Sequence, residues 1–373
     1  MNRPDRLWRV AEGVVKVYRL FDVADALDLS RAEAILTVPR SRKRLEGARG
    51  PTALEIPHPP LHVVLGRREV PFAAGSRIGE ASAHLFDYGV VSIVYELEIA
   101  PGTDLAELVP LSEALVVDPN PALDLAARAE AERLARELGP ALTRPHAWEG
   151  LESHQIVFVR RFEREVSAGE VLADAPLAEL LLGETSPRGL SRSEREDVLK
   201  HAHSYLEDDL AVVDWNSSFV LEPSAVGDIP DLLELATAHL LELRYYDALL
   251  DRELSALYPE IDARRTIPKV FTRRYLKLQN RTAALLLEIS EMTERVENAV
   301  KIVGDFYLAR VYQSAVRRFR LPAWQDSVLR KHKLLADVNE LLKDTADQRR
   351  GELLELTVIL LILWEILYAF LRH

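Results

Sequence analysis

Cysteine is absent from the 373 residues, which excludes disulfide frameworks, cysteine-ligated zinc, iron–sulfur clusters and thiol catalysis, and is compatible with a reducing compartment. Positive charge is in deficit. The 47 Lys and Arg stand against 59 Asp and Glu, a formal net charge of −12, which argues against binding nucleic acid through overall charge. No direct sequence-specific nucleic-acid binding is expected. Phosphate-cradling loops of the Gly-x-Gly-x-x-Gly or Gly-Lys-Ser/Thr kind are missing, and so is a Gly-x-Ser-x-Gly nucleophile elbow. Met1 to Leu20 has no apolar stretch of signal-peptide type, and Asp5 and Glu12 argue against a transit peptide. What is present is ordinary globular material, 48% hydrophobic and 28% charged, enough for two or three domains. These features imply an architecture but no reaction: no enzyme activity, cofactor or metal is expected.

Within residues 1–225, strands and helices alternate. Strands are predicted over Gly13–Leu20, Leu61–Leu65, Glu80–Phe86, Val90–Ile99 and Glu152–Phe162. Asp87-Tyr88-Gly89 is short enough to make the third and fourth of these strands a hairpin. Helices are predicted over Asp22–Leu36, with an apolar stripe of Val23, Ala26, Leu27, Ala32 and Ile35, and over Asp104–Leu115 and Ala122–Leu138. Arg40–Gly50 reads as a basic loop. The class implied is α+β, a sandwich-like α/β domain built on one main sheet.

From residue 226 to 350 the pattern is helical, divided by Pro230, Pro259, Pro268 and Pro322. The first piece repeats in heptads through Leu233, Ala236, Leu240, Leu243, Asp247, Leu250, Leu254 and Leu257. The second runs from Phe271 to Phe306 in alternating steps of three and four, and the third begins near Trp324. Such narrow seams imply a helical hairpin or stalk that self-associates, making a homo-oligomer; a compact bundle is the alternative.

Residues 351–373 stand apart. Leu353–Leu371 is nineteen residues long, about 28 Å as a helix against roughly 30 Å of bilayer hydrocarbon. Its interruptions are Thr357, Glu355 and Glu365. A charge at the bilayer centre costs about 2.5–3.5 kcal/mol, and each Leu, Ile, Val or Phe returns about 0.3–0.6 kcal/mol. Eleven such residues between Leu356 and Leu371 tip the balance toward insertion. Trp364 and Tyr368 lie toward the far half, where amphipathic aromatics rest at an interface. Glu355 and Glu365 are ten apart, about 80° around a helix, so both can face one protein contact. The segment is therefore expected to be a C-terminal membrane anchor in a lipid bilayer, with Glu355, Trp364, Glu365 and Tyr368 as anchor or oligomer contacts. The alternative is a helix buried between subunits of an oligomer.

The run Glu352–Ile366, with glutamates flanking an aliphatic stretch and Arg349-Arg350 before it, resembles the C-terminal signature of the "required for meiotic nuclear division" family. Asp305–Tyr312, Leu321–Gln325, His203–Glu207 and Leu85–Val91 are similar to further blocks of that family. Leu356 departs from its usual tryptophan. The resemblance implies an α/β domain, a helical stalk and a C-terminal anchor, without catalytic activity. It implies a tethering or organising role, in eukaryotic members tied to translation at a membrane, and hence a protein or ribosomal partner. With no presequence evident, a bacterial member at the cytoplasmic membrane, with the bulk of the chain cytoplasmic, is expected. A rival layout is that of CorA-type magnesium channels, an oligomeric ion-conducting or ion-sensing protein. The missing Gly-Met-Asn signature and the single span argue against it.

Five polar clusters remain. His201-x-His203 with Glu207, Asp208 and Asp209 has the density of a ligand set, but a solvated segment is the simpler reading. His58 and His62 read as surface residues, and Asp214–Ser218 as a turn. The basic runs Arg40–Arg44 and Arg317–Arg320 are too short and interrupted to require a phosphate partner.

Overall fold

A computed structural model describes residues 8–37, 39–42, 59–72, 75–116, 120–224, 228–262, 287, 290 and 306–371. The chain forms two compact units, Met1–Tyr245 with Glu294–Trp324, and Tyr246–Thr293 with Gln325–His373.

The first unit is built on β1 (Val10–Asp22), whose thirteen residues pair along both edges. On one side lies β6 (Val90–Glu98), with Val14 opposite Glu98 and Asp22 opposite Val90; on the other lies β8 (Glu152–Phe162), with Val14 opposite Phe158. The sheet continues outward through β5 (Gly75–Leu85), β4 (Leu61–Phe72) and β3 (Arg40–Arg42). In the other direction it runs through β11 (Ser217–Leu221), β10 (Leu210–Val213) and β9 (Ala202–His203), making nine strands. Every pairing in it is antiparallel except β8 with β11. The chain is thus α+β, with a large N-terminal sheet and C-terminal helices.

One sheet face holds the main core. Val15, Val17 and Phe21 of β1 pack there with Leu123, Ala127 and Leu134 of α3 (Pro121–Glu137) and Leu177 and Leu180 of α5 (Leu177–Leu182). Its other helices are α1 (Leu29–Ile35), α2 (Val109–Val116), α4 (Ala168–Asp174) and α6 (Arg192–Leu199). Local chemistry sets their starts. Asp28 accepts from the Arg31 amide at 3.0 Å, and Ser167 and Glu170 make a reciprocal capping box.

The opposite face meets the first part of α7 (Asp228–Asp262) and α8 (Phe306–Arg318). His84 of β5 bonds Glu234 at 2.6 Å, and His239 bonds the Tyr312 hydroxyl at 2.9 Å. Every position from Leu232 to Leu243 is buried. The heptad pattern predicts one narrow apolar seam here. The helix is instead covered all round, and Thr237 satisfies its hydroxyl on the Leu233 carbonyl at 2.8 Å.

The second unit contains the rest of α7 and most of α9 (Leu321–Leu371). Leu250, Leu254, Val328 and Leu335 are buried. The polar heptad position Asp247 accepts from Ser327 at 2.8 Å, and Lys331 bridges Asp247 and Asp251 at 2.8 and 2.7 Å.

Several expectations change. Residues 24–27 of the predicted Asp22–Leu36 helix are β2 (Ala24–Leu27), drawn out of helix by pairing with β7 (Leu142–Pro145). Arg40–Arg42 is an edge strand rather than a loop, and the remainder of that predicted loop, residues 43–50, lies outside the described residues. Pro259 does not end a helix; α7 continues to Asp262. The heptad stretch from Phe271 to Val303 lies outside the described residues, apart from helical positions 287 and 290. Residues 228–245 of the expected stalk fall in the same compact unit as the sheet.

Candidate functional site

The feature with the clearest physical demand is near the end of α9. Its described side chains from Glu355 to Trp364 are all exposed. Among them Leu356, Leu360, Leu361 and Leu363 are 56–61% exposed and Trp364 is 67% exposed. Successive residues are about 100° apart on a helix, so ten consecutive positions sample its whole circumference. No face of this segment is covered. Glu355 and Trp364 therefore sit exposed on one apolar rod; the side chains of Glu365 and Tyr368, further along the same helix, lie outside the described residues. Among the described residues, no helix is long and apolar enough to cross a membrane.

The polar clusters of the first unit are structural ties. His203 contributes Nε2 to a 2.7 Å hydrogen bond with Ser314 Oγ. Burial first, and then nearby arginines, hold His201 and His203 below the ordinary imidazole pKa. Among the described residues, no three His, Cys, Asp or Glu side chains converge on a metal-sized point. Asp214, Trp215 and Asn216 form the tight connection between β10 and β11, closed by the Asp214 amide on the Ser217 carbonyl at 2.9 Å. Within the Arg317–Arg320 run, Arg318 is bound to Asp214 at 2.5 Å and to Asp197 at 2.8 Å. Arg320 lies 5.8 Å from the Trp215 ring centroid. In the other basic run, Arg40 donates to the Leu36 carbonyl. His62 stands in β4 with its ring 4.9 Å from that of His84; His58 lies outside the described residues.

One constellation is not foreshadowed by any motif. His146 contributes Nε2 to a 2.9 Å contact with Asp22 Oδ1, and its Nδ1 lies 3.4 Å from Asp25. Its ring stacks on Tyr245 at 4.5 Å and an interplanar angle of 6°. Arg144, at a left-handed φ of 48°, reaches Asp25 at 2.6 Å. Burial opposes a charge on His146, but the hydrogen bond and charge of Asp22, helped by Asp25, outweigh it and raise the imidazole pKa. The cluster is a charged clasp: β1 supplies Asp22, the strand after it Asp25, the residue just past β7 His146, and α7 Tyr245.

A mixed chain with one broad, nearly all-antiparallel sheet carrying helices on both faces is the class that these observations define. The chain belongs to the family described as "Uncharacterized protein MJ0711, N-terminal domain", which matches residues 12–227. It is 27% identical over 183 residues to "Uncharacterized protein MJ0711" of Methanocaldococcus jannaschii, a similarity covering 46% of this chain and 52% of that protein. The chain therefore spans about half the length of this curated relative. No solved structure matches it. The matched residues end at 227, so the family covers the sheet and its first layer of helices, not the helical C-terminal part.

Proposed function

We propose that this protein is a membrane-anchored, non-catalytic scaffold: the sheet domain is held at a bilayer by the C-terminal end of α9 and presents a surface to an assembly at the cytoplasmic face. The observation that carries this reading is the uncovered apolar stretch from Leu356 to Trp364. Eight of those nine residues are large and apolar, and covering what they expose would release on the order of 10 kcal/mol. A surface of that kind is not left in water; it meets lipid or protein. Apart from Glu355, Thr357 and Glu365, the sequence is apolar from Leu353 to Leu371, and those nineteen residues come close to the length a bilayer requires. The resemblance of Glu352–Ile366 to the meiotic nuclear division family supports tethering, with organisation of translation as the process to examine first.

Fractionation tests the reading. Full-length protein should stay with membranes after carbonate washing, and a version ending at Arg350 should be released. A full-length protein that remains soluble without detergent, as an oligomer, would replace the lipid partner with a second copy of the same helix. Recovery of ribosomal proteins from a detergent extract with the full chain would support the translation link.

A further inference from the structure

One face of α8 concentrates positive charge on a chain whose net charge is −12. The helix packs on β9 and β10 and buries Tyr307, Leu308, Val311, Tyr312, Ser314 and Ala315. Phe306, Arg310, Gln313 and Arg317 are exposed, and at about 100° per residue they fall within a sector of roughly 60°. From Phe306 to Arg317 that line is about 16 Å long at about 1.5 Å per residue. Arg320 follows in the turn beyond the helix, at a left-handed φ of 55°, with its guanidinium 5.8 Å from the Trp215 ring centroid.

Strand β9 lies alongside. His203 is tied to Ser314 at 2.7 Å, and Lys200 and His201 precede it in the chain. The two histidines report the local field. Burial first, then Arg310, His201 and Arg317 around His203, and Arg318, Arg317 and Lys200 around His201, hold both imidazoles below their ordinary value. Asp197 opposes this at His201. Arg318 is already matched by Asp214 and Asp197, whereas Lys200, Arg310, Arg317 and Arg320 have no ion-pair partner among the described residues. Glu207 and Asp208 are exposed just beyond Tyr205, and counting both still leaves two of these four cations in excess.

Exposed rings accompany the cations. Phe306, at the start of the line, is 89% exposed, and Tyr205, also exposed, stands 5.8 Å from the ring of its neighbour Tyr307. Trp215 is exposed beside Arg320. Cations replace the counterions of a phosphodiester backbone, and exposed rings give unpaired bases a surface to stack on. The run Arg317–Arg320 alone is too short for this; the fold adds Arg310, Lys200 and the rings. A bilayer asks for something else. An interfacial helix turns its apolar face into the lipid, and the apolar face of α8 is already taken by β9 and β10.

We propose that this face of α8, with Lys200, Tyr205 and Trp215 beside it, binds a single strand of RNA without regard to sequence, its cations meeting phosphates and its rings stacking bases. The unpaired strands of a cell are mainly RNA. No contact here calls for the 2′-hydroxyl, so the corresponding DNA strand should bind within about tenfold.

The test is fluorescence anisotropy of labelled oligouridylate, about eight nucleotides long, titrated with the full chain in neutral detergent over a series of KCl concentrations. Saturable binding is expected, and three to four phosphate contacts give log K against log[salt] a slope of about −2 to −3. Arg310→Gln with Arg317→Gln should weaken binding at least tenfold at low salt and flatten the slope by about 1.4, the share of two phosphates. Phe306→Ala, at a site too exposed to matter for folding, should weaken binding several-fold and leave the slope unchanged. Arg136→Gln removes an exposed charge from α3 and should change neither. Absence of saturable binding at low salt would overturn the assignment, as would variants of Arg310, Arg317 and Phe306 that behave like Arg136→Gln. Equal binding of a duplex of the same length, or a preference of more than about tenfold for oligothymidylate, would overturn it too. Displacement of the strand by short-chain phosphatidylglycerol, mixed into the micelles at equal phosphate concentration, would reassign the face to a lipid surface.

Discussion

Arg19 on the central strand donates from Nε to Asp124 Oδ1 on α3 at 2.7 Å, across 105 residues of sequence. The arginine is 2% exposed, and its remaining nitrogens donate to the carbonyls of Tyr18 at 3.0 Å and Leu115 at 3.2 Å. A full charge is thus placed under the helical layer and matched there, with the guanidinium fork also serving the last turn of α2.

Removing one partner leaves the other charged and desolvated. Arg19→Met should destabilise the protein by about 3–5 kcal/mol in chemical denaturation. The double change Arg19→Met with Asp124→Leu should recover most of that loss, because two apolar groups replace a pair rather than orphan one. A double variant as unstable as the single one would mean that the carbonyl contacts, not the ion pair, carry the arrangement.

Gly89 occupies the hairpin turn between β5 and β6 at φ +88°, where a Cβ would stand 1.7 Å from the Ala24 carbonyl oxygen. Its own carbonyl accepts from the Val23 amide at 3.1 Å, the point at which the chain leaves β1 for β2. Gly89→Ala should therefore cost more than about 3 kcal/mol, combining left-handed backbone strain with a backbone clash. Hydrogen exchange at the Val23 amide, faster in the variant, would locate the damage at this crossing.

Much of this fold is legible in the sequence, and the gaps have physical causes. The centres of β1, β5, β6 and β8 are dense in buried apolar residues, so their pattern shows through. The outer half of the β4–β5 hairpin is hidden because Arg67, Arg68 and Glu69 give it no apolar face. β10 is four residues long and β11 five, and α4, α5 and α6 span only six to eight, too short for a period to declare itself. Asp22 and His146 are 124 residues apart, so no spacing rule could join them. The greasy C-terminal run is visible from composition, since it needs only length and hydrophobicity to be recognised.

The His146 clasp makes stability depend on pH. Its imidazole pKa is raised by Asp22 and Asp25 against the opposing effect of burial, so its contribution is complete below the unfolded-state value of about 6.5. That contribution is lost as pH rises through the higher folded-state value. His146→Gln should cost roughly 2–3 kcal/mol at pH 6, the worth of a charge-assisted hydrogen bond in a half-buried site. Urea midpoints for both proteins at intervals from pH 6 to 9 should converge as pH increases. A gap that stays constant would show that the imidazole pKa is the same in the folded and unfolded states, so that the clasp does not favour the charged ring.

The anchoring proposal makes its sharpest demand at Leu361, which is 61% exposed near the middle of the apolar run. A lysine at the centre of a membrane span costs about 2.5–3.5 kcal/mol, whereas a lysine on a wetted surface costs almost nothing. Leu361→Lys should therefore cut the carbonate-resistant fraction sharply. Ile78→Lys, at a position 57% exposed on β5, supplies the control, because it adds the same charge to an exposed apolar site elsewhere. If both variants remain on membranes equally well, attachment runs through a bound protein and not through lipid. If Leu361→Lys is released while Ile78→Lys is retained, the apolar rod is the attachment.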